Sequence, residues 1–334
     1  MLKSEVTHPG GNCRRLIASL LPGTIFLLLL TASAAEAQNS RVASSNSYLA
    51  RGNDWHKKGE LDKALDDYSI AIVFDPGSAA AFYSRASVRK DKRDWEGALA
   101  DYTRAIEISP RLDEAYSNRG NILLTIGEVD RAIADYNRAI ELRPRCATNY
   151  YNRGIAREMK GDRESAIADY SQAIKLDSSC TEAYIRRGIA RELDGDLAGA
   201  IADAEKAIRL NPRLPSAYNN RGNLREVQGN LDGAIADYNR SIELDPTLAE
   251  SYNNRGGARY LNGDRSGAMD DYNRAIEINP GRAVAYLNRG VVHLLQGETR
   301  EAEKDFDECL RLDPELKPAL ERSVKRAREM LKKE

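Results

Sequence analysis

The sequence predicts an all-α fold, an α-solenoid of eight 34-residue helix-turn-helix repeats followed by a C-terminal capping helix. The first observation is that residues 45–316 divide into eight segments of equal length without insertion or deletion. The second is that the same residue types recur at the same places of every segment. A single pair of short helices cannot bury its own apolar face, so the repeats have to stack on one another.

The predicted organisation follows this period. A signal peptide covers residues 1–37 and a linker covers residues 38–44. Residues 317–334 form a capping helix and basic tail, because Leu320, Val324 and Ala327 fall on one helical face there. The eight repeats are predicted to span residues 45–78, 79–112, 113–146, 147–180, 181–214, 215–248, 249–282 and 283–316.

Each repeat encodes two helices and the turn between them. Place 4 of the repeat is aromatic and place 20 is alanine in all eight copies, while place 24 is aromatic in seven. The aromatic residues supply buried area, and the small residues at places 8 and 20 allow close helix packing. Glycine at place 15 is suited to ending the first helix, and proline at place 32 to stopping the second.

This pattern resembles the tetratricopeptide repeat (TPR) family, in particular its bacterial exported members, over all eight repeats. The resemblance implies antiparallel helix pairs stacked into a right-handed superhelix, with the first helices lining a concave groove. It also implies a non-enzymatic adaptor or scaffold that binds a protein or peptide partner and needs no cofactor.

An arginine at place 7 and an aspartate at place 23 occur in all eight repeats. A feature that every copy shares indicates architecture, so we expect a ladder of ion pairs that fixes the geometry of the helices. Pairing within a repeat and pairing between neighbours both remain open, and a row of anion-binding arginines is the alternative. The predicted ladder residues are Arg119, Arg153, Arg221, Arg255, Asp135, Asp169, Asp237 and Asp271.

Asparagines recur on the opposite face of the first helix, which the TPR resemblance directs into the groove. An amide both donates and accepts hydrogen bonds, so a row of asparagines could hold an extended peptide backbone. The alternative is that asparagine is a tolerated solvated residue. The predicted groove residues are Asn118, Asn152, Asn220, Asn254 and Asn288 at place 6, with Asn121 and Asn223 at place 9.

Charged residues on this face set the expected preference for a partner. Glu158, Glu192 and Glu226 stand at place 12 and favour peptides that carry basic residues, and Arg186 replaces the asparagine of place 6 in the fifth repeat. Ala204 replaces the aromatic residue of place 24 in the same repeat. Loss of a large ring leaves space unless neighbours fill it, so this joint is either a partner pocket or a repacked core.

The N-terminus has the layout of a secretory signal. Basic residues precede an apolar run, and Ala35 and Ala37 form a small-residue cleavage site. We therefore expect cleavage after Ala37 and export, with the periplasm as the destination. The alternative is that residues 16–30 remain as a membrane anchor.

Charge and motifs exclude other function classes. The chain has 50 basic and 51 acidic side chains, so no general attraction to nucleic acid is expected. No metalloprotease, nucleophile-elbow or phosphate-loop motif occurs, which argues against an enzyme. Two classes remain: an interaction module that binds a peptide in its groove, and a structural scaffold that assembles through its ends or convex face.

Overall fold

The computed structural model describes residues 22–332, with side-chain surroundings from residue 36 onward. In this range the chain forms seventeen α-helices and one short 3-10 helix, without a β-strand. The predicted all-α solenoid with a C-terminal helix is confirmed. The chain divides into two compact units, Met1–Gly127 and Glu128–Glu334, which are called the N-terminal and C-terminal units below and are described separately.

The helices begin where the repeat pattern predicts them. Every first helix from the second repeat onward starts at the first residue of its repeat. The N-terminal unit contains α1 (Pro22–Lys57), α2 (Leu61–Phe74), α3 (Ala79–Asp91), α4 (Trp95–Ile108) and α5 (Asp113–Thr125). The C-terminal unit contains α6 (Val129–Leu142), α7 (Ala147–Met159), α8 (Arg163–Leu176), α9 (Thr181–Leu193), α10 (Leu197–Leu210), α11 (Pro215–Val227), α12 (Leu231–Leu244), α13 (Ala249–Leu261), α14 (Arg265–Ile278), α15 (Ala283–Leu295), α16 (Thr299–Leu312), the 3-10 helix Pro314–Leu316 and α17 (Lys317–Leu331).

Helix α1 is longer than one repeat helix. Residues 38–44, predicted as a linker, are helical, because α1 runs without a break from Pro22 to Lys57. From residue 36, where side chains are described, the first buried one on α1 is Ser45, whose Oγ donates to the carbonyl oxygen of Ala71 on α2 at 2.9 Å. Packing against the repeat therefore starts at the predicted first residue, and the helix extends beyond it toward the N-terminus.

The predicted signal peptide and the alternative anchor lie partly outside the described residues, which begin at residue 22. Within the described part of the chain, no helix combines the length and the apolar character that a membrane span requires.

In five repeats the core is an aromatic ring packed over the glycine of place 8. The side chains of Tyr170 and Tyr238, at place 24, are 0% exposed. A Cβ atom added to Gly222 would lie 2.5 Å from the ring of Tyr238, and one added to Gly154 would lie 2.6 Å from the ring of Tyr170. A Cβ atom at these two glycines would force the ring to shift, so places 8 and 24 pack as one unit. The second repeat buries the ring of Tyr102 in one cluster with Ala86 at place 8.

The turn between the two helices needs a left-handed residue. Seven glycines at place 15 adopt φ values between +77° and +88°, for example Gly229 at +79° and Gly263 at +88°. The second repeat has Arg93 at this place, and its φ is +62°. A residue with a Cβ atom is strained in this conformation, whereas glycine is not.

We therefore expect Arg93→Gly to stabilise the protein, by about 1 kcal/mol, because the strain of a left-handed residue is removed. Thermal unfolding followed by circular dichroism measures the change. The control is Arg93→Ala, which removes the same charge but keeps the Cβ atom and should bring no gain. Equal effects of the two variants would contradict the explanation.

The C-terminal helix covers the end of the last repeat. Ala327 of α17 is buried against Leu294, Leu295 and Ala302, with Val324 beside it. Helix α17 therefore packs against the last repeat as a further helix of the stack. Two of the apolar residues predicted on one face of α17, Val324 and Ala327, make this contact.

Candidate functional site

The arginine of place 7 binds the aspartate of place 23 within the same repeat. Nε of Arg221 donates to Oδ2 of Asp237 at 2.9 Å, and its Nη2 donates to Oδ1 at 2.6 Å. This two-point contact is the strong form of an arginine–carboxylate pair. The same arrangement joins Arg51 to Asp67, Arg85 to Asp101, Arg153 to Asp169, Arg187 to Asp203, Arg255 to Asp271 and Arg289 to Asp305.

The third nitrogen of the same arginine reaches the preceding repeat. Nη1 of Arg255 donates to Oδ1 of Asn239 at 2.7 Å, and Nη1 of Arg153 donates to Oδ1 of Asn137 at 2.7 Å. One guanidinium therefore ties two helices of a repeat together and also ties the repeat to its predecessor. The Arg–Asp pairs described above therefore lie within a repeat, and the contact to the preceding repeat is made with an asparagine.

Of the remaining predicted ladder residues, Arg119 lies in the N-terminal unit, where its Nη1 donates to Oγ1 of Thr103 at 3.0 Å. Asp135 lies in the C-terminal unit and is buried.

A second arginine on five of the aspartates was not anticipated from the sequence. Nη1 of Arg225, at place 11, donates to Oδ2 of Asp237 at 2.7 Å. Place 11 is also occupied by Arg89, Arg157, Arg191 and Arg259, and each of them donates to the aspartate of its own repeat. Because these donors are committed to carboxylates, the arginines serve the architecture and do not form a free anion-binding row.

Two place 6 asparagines donate hydrogen bonds to other asparagines of the preceding repeat. Nδ2 of Asn254 donates to Oδ1 of Asn219 at 3.3 Å and to Oδ1 of Asn223 at 3.0 Å. Nδ2 of Asn288 donates to Oδ1 of Asn253 at 3.1 Å. In each case the amide of place 6 reaches place 5 of the preceding repeat.

In the N-terminal unit, Asn118 of α5 repeats this contact, with its Nδ2 donating to the hydroxyl of Tyr83 at 2.9 Å. Sequence reasoning did not select Asn219 or Asn253. They are buried members of the network, and the doubled asparagine of the YNN segments is the signal that points to them.

Some donor and acceptor groups of the predicted groove asparagines have no hydrogen-bond partner within the described residues. Asn220 forms no hydrogen bond there and is partly buried. Asn223 uses only its Oδ1, which accepts from the hydroxyl of Tyr238 at 2.8 Å and from Asn254 at 3.0 Å. Asn152 and Asn121 are partly buried on α7 and α5, and each already has a partner.

A cleft of about 350 Å³ lies on this face of the C-terminal unit. It brings together five predicted residues, and we call it the amide cleft. Gly257 and Val227 also line it, together with the network residue Asn253. The predicted residues along it are Glu192, Asn223, Glu226, Asn254 and Asn288.

Glu158 and Arg186, also predicted, do not line the amide cleft. Oε2 of Glu158 accepts a hydrogen bond from the hydroxyl of Tyr170 at 2.6 Å, and its Oε1 lies 3.5 Å from Nη1 of Arg186. This carboxylate is neutralised by Arg186. The acidic character expected for the face is therefore confined to Glu192 and Glu226.

Burial changes the acidity of these two carboxylates. Desolvation raises the pKa of Glu226, although the hydroxyl of Tyr238 donates to its Oε2 at 3.0 Å and partly opposes the rise. Desolvation alone raises the pKa of Glu192, which has no hydrogen-bond partner among the described residues. Glu192 is thus an uncompensated, partly buried acid at the edge of the cleft.

This predicts a pH-dependent gain from Glu192→Gln. The folded-state pKa of Glu192 lies above its ordinary value of 4.5, so the folded protein binds a proton that the unfolded chain has lost. The free energy of unfolding therefore falls as pH rises from 4.5 to the folded-state pKa. At pH 7 the glutamine variant should have a modestly higher Tm than the wild type. Below about pH 4 the two proteins should unfold together, because the glutamate is then protonated. Equal Tm values at pH 7 would contradict the assignment.

Comparison with known proteins defines the class. Stacked pairs of helices of equal length define a helical-repeat protein. Models described as "TPR repeat" and "Tetratricopeptide repeat" together match more than half of the chain, so it belongs to the tetratricopeptide repeat family. The first description matches residues 86–127 and 227–263, and the second matches residues 113–146, 151–215, 249–282 and 283–316.

Solved structures show the same fold. A tetratricopeptide repeat protein from Parabacteroides merdae is 19% identical with a TM-score of 0.58, and the match covers 75% of this chain and 99% of that one. The APC/C hetero-tetramer Cut9–Hcn1 is 15% identical with a TM-score of 0.60, covering 84% of this chain and 55% of that one. Pseudomonas aeruginosa PilF is 17% identical with a TM-score of 0.56, covering 64% and 96%. No curated protein matches.

The tetratricopeptide repeat fold is generally a non-enzymatic scaffold for interactions between proteins. The chain is accordingly a protein–protein interaction module. The identity of its partner, and the surface that the partner uses, have to be argued from the side chains themselves.

Proposed function

We propose that the protein binds an extended peptide segment of a partner along α9, α11, α13 and α15. The observation that carries this proposal is the amide cleft of about 350 Å³, lined by the amides and carboxylates of four successive first helices. Ligand sites of this kind combine a concavity with a few convergent polar groups.

The side chains of the cleft are suited to a peptide backbone. Nδ2 of Asn223 and Oδ1 of Asn288 have no hydrogen-bond partner within the described residues, so one can donate to a peptide carbonyl and the other can accept from a peptide N–H. The carboxylates of Glu192 and Glu226 accept N–H groups as well. No lysine or arginine lines the cleft, so a basic side chain of the peptide is favoured over an acidic one.

Gly257 allows the cleft to be blocked without disturbing the core. A Cβ atom at Gly257 would meet nothing closer than 4.0 Å, where Oε1 of Glu226 and the hydroxyl of Tyr272 lie. We expect Gly257→Phe to fold normally. Glycine is a poorer helix former than phenylalanine, and the new phenylalanine side chain would project into the open cleft. The experiment selects peptides from a random library on the wild-type full chain and measures their Kd for both proteins.

The proposal predicts that the selected peptides lose at least about tenfold in affinity for Gly257→Phe, equivalent to about 1.4 kcal/mol. Gly257→Ala is the matched control, since it restores helix propensity without filling the cleft, and it should bind as the wild type does. Peptides that bind Gly257→Phe undiminished, or a selection that yields no binding peptide, would overturn the proposal.

Assembly through the C-terminal end is the second candidate. A cleft of about 570 Å³ separates α17 from α16, and Leu294, Phe306, Leu320 and Val324 contribute apolar surface to it. A second molecule could bury this surface. Light scattering after size-exclusion chromatography tests the idea, because a strictly monomeric protein at high concentration would contradict it.

We also propose that the protein is exported after cleavage at Ala37, on the strength of the N-terminal sequence. Residues 38–44, which cleavage would leave at the new N-terminus, have no buried side chain. N-terminal sequencing of the protein from expressing cells should find Gln38 first. A retained Met1 would favour the anchored alternative.

A further inference from the structure

The fifth repeat lacks the ring that covers the place 8 glycine elsewhere. At Gly188 an added Cβ atom would meet only Ala200 O and Asp203 Cβ, both at 3.4 Å, and nothing else nearer than 4.0 Å. At Gly222 the same atom would lie 2.5 Å from the ring of Tyr238. The side chains around Ala204, including Ile185, Ile189 and Leu224, fill most of the space that the missing ring would occupy.

The vacated position is lined by apolar side chains, and we call it the Ala204 slot. Leu224 packs against Ala200 and Ala204 in one core cluster, which limits the space that remains. Two polar residues, Glu192 and Asn220, also line the slot. The apolar lining consists of Ile185, Gly188, Ile189, Ala200, Ala204, Ala217 and Leu224.

The slot and the amide cleft share a residue. Glu192 lines both, so the slot adjoins the surface on which we place the peptide. The neighbouring repeats show which end of such a slot is open. The hydroxyl of Tyr170 reaches Glu158 at 2.6 Å, and that of Tyr238 reaches Glu226 at 3.0 Å. The carboxylate of place 12 therefore marks the end of the ring position that faces the cleft.

A side chain that enters from the cleft would point in the direction opposite to that of these tyrosines. Its tip would lie against Gly188, Ala200 and Ala204, where no side chain can hydrogen bond, and its backbone would lie beside Glu192 and Asn220. A phenolic hydroxyl buried at the tip would lose its hydrogen bonds with water, which disfavours tyrosine. The uncommitted carboxylate of Glu192 can accept the peptide N–H, and the amide of Asn220 can donate or accept.

The empty space is about 10 Å³ as it stands, which is room for about one water molecule. A ring therefore enters only when Ile185 and Ile189, which are partly exposed, turn aside. The repeat geometry accommodates such a ring, because Tyr102 shares a core cluster with the branched Ile122, the counterpart of Leu224.

We propose that the Ala204 slot is a specificity pocket that takes a phenylalanine side chain of the bound peptide. The proposal rests on the function proposed above, because the peptide has to lie in the amide cleft for its side chain to reach the slot. In this proposal the fifth repeat selects one apolar residue of the peptide, while the other contacts bind the peptide backbone.

The first test uses toluene, which reproduces the phenylalanine side chain, with the full chain labelled at its isoleucine and leucine methyl groups. Toluene should shift the NMR signals of Ile185, Ile189 and Leu224 in a saturable manner. Ala204→Tyr, which restores the ring found in neighbouring repeats, should abolish these shifts, and Ala204→Leu serves if that variant fails to fold. Unshifted wild-type signals, or shifts that persist in the filled variant, would overturn the proposal.

The second test separates this inference from the proposed function. Peptides selected on the wild-type chain should share a phenylalanine whose replacement by alanine lowers affinity about tenfold or more. On Ala204→Tyr the phenylalanine and alanine peptides should bind equally. Peptides that bind both proteins alike and show no such position would overturn the slot while leaving the amide cleft in place.

Discussion

Replacement of Asp237 by alanine is expected to destabilise the protein by about 3–5 kcal/mol, because two arginines lose their shared carboxylate. Asp237 is 3% exposed and accepts from Nε and Nη2 of Arg221 and from Nη1 of Arg225. Without it, both guanidinium groups remain partly buried and unpaired. Urea unfolding of the full chain, followed by circular dichroism, measures the loss.

The matched control for this variant is Asp232→Ala, an aspartate exposed in the first turn of the same helix. Its loss removes a favourable interaction with the helix dipole and one exposed hydrogen bond from Nδ2 of Asn262 at 3.3 Å, each worth up to about 1 kcal/mol. If Asp237→Ala lowered the free energy of unfolding as little as Asp232→Ala does, the ion pairs would not hold the helices together. That result would contradict the structural role given to the ladder.

The second large effect is a difference between two glycines at the same place of adjacent repeats. Gly222→Ala puts a methyl group 2.5 Å from the ring of Tyr238, so the core has to shift and about 1–3 kcal/mol is lost. Gly188→Ala meets its nearest atoms at 3.4 Å and improves helix propensity, so it should be neutral or stabilising by up to about 1 kcal/mol.

Thermal unfolding of the two variants under one set of conditions makes this comparison. Each protein serves as the control for the other, because the substitution and the place in the repeat are identical. Equal destabilisation would mean that the fifth repeat has closed over its missing ring, and it would remove the structural basis of the Ala204 slot.

The period of 34 residues predicted the helices closely because each recurring residue has a local physical role. The glycine of place 15 marks the left-handed turn, and the aromatic ring of place 24 requires the small residue of place 8. The N-terminal boundary was harder to predict. Residues 38–44 carry no repeat signature, yet they continue α1, because helix formation does not need a packing partner at every residue.

The candidate site was only partly predictable. The sequence predicted that Asn254 and Asn288 share a face, and both line the amide cleft, but it did not show that their amides bind Asn219, Asn223 and Asn253. Hydrogen bonds between residues 31–35 positions apart depend on how repeats are offset, and a single repeat does not encode that offset. No role was predicted for the arginine of place 11, although in five repeats it donates a hydrogen bond to the aspartate.

These hydrogen bonds change the role that we give to the asparagines of place 6. Asn254 stabilises the stack of repeats, so its replacement tests architecture and binding together. Asn220 forms no hydrogen bond within the described residues, so its replacement by alanine removes no stabilising contact of the fold. Gly257 and Asn220 are therefore the positions at which binding can be examined separately from stability.

The central claim is that a peptide lies along α9, α11, α13 and α15. The most direct measurement is a photo-crosslinking map, in which a library-selected peptide carries a benzoylphenylalanine and the attachment sites on the full chain are identified by mass spectrometry. The account predicts crosslinks to residues of the amide cleft and the Ala204 slot, and their loss in Gly257→Phe. Crosslinks confined to α17, or to the second helices of the repeats, would contradict it.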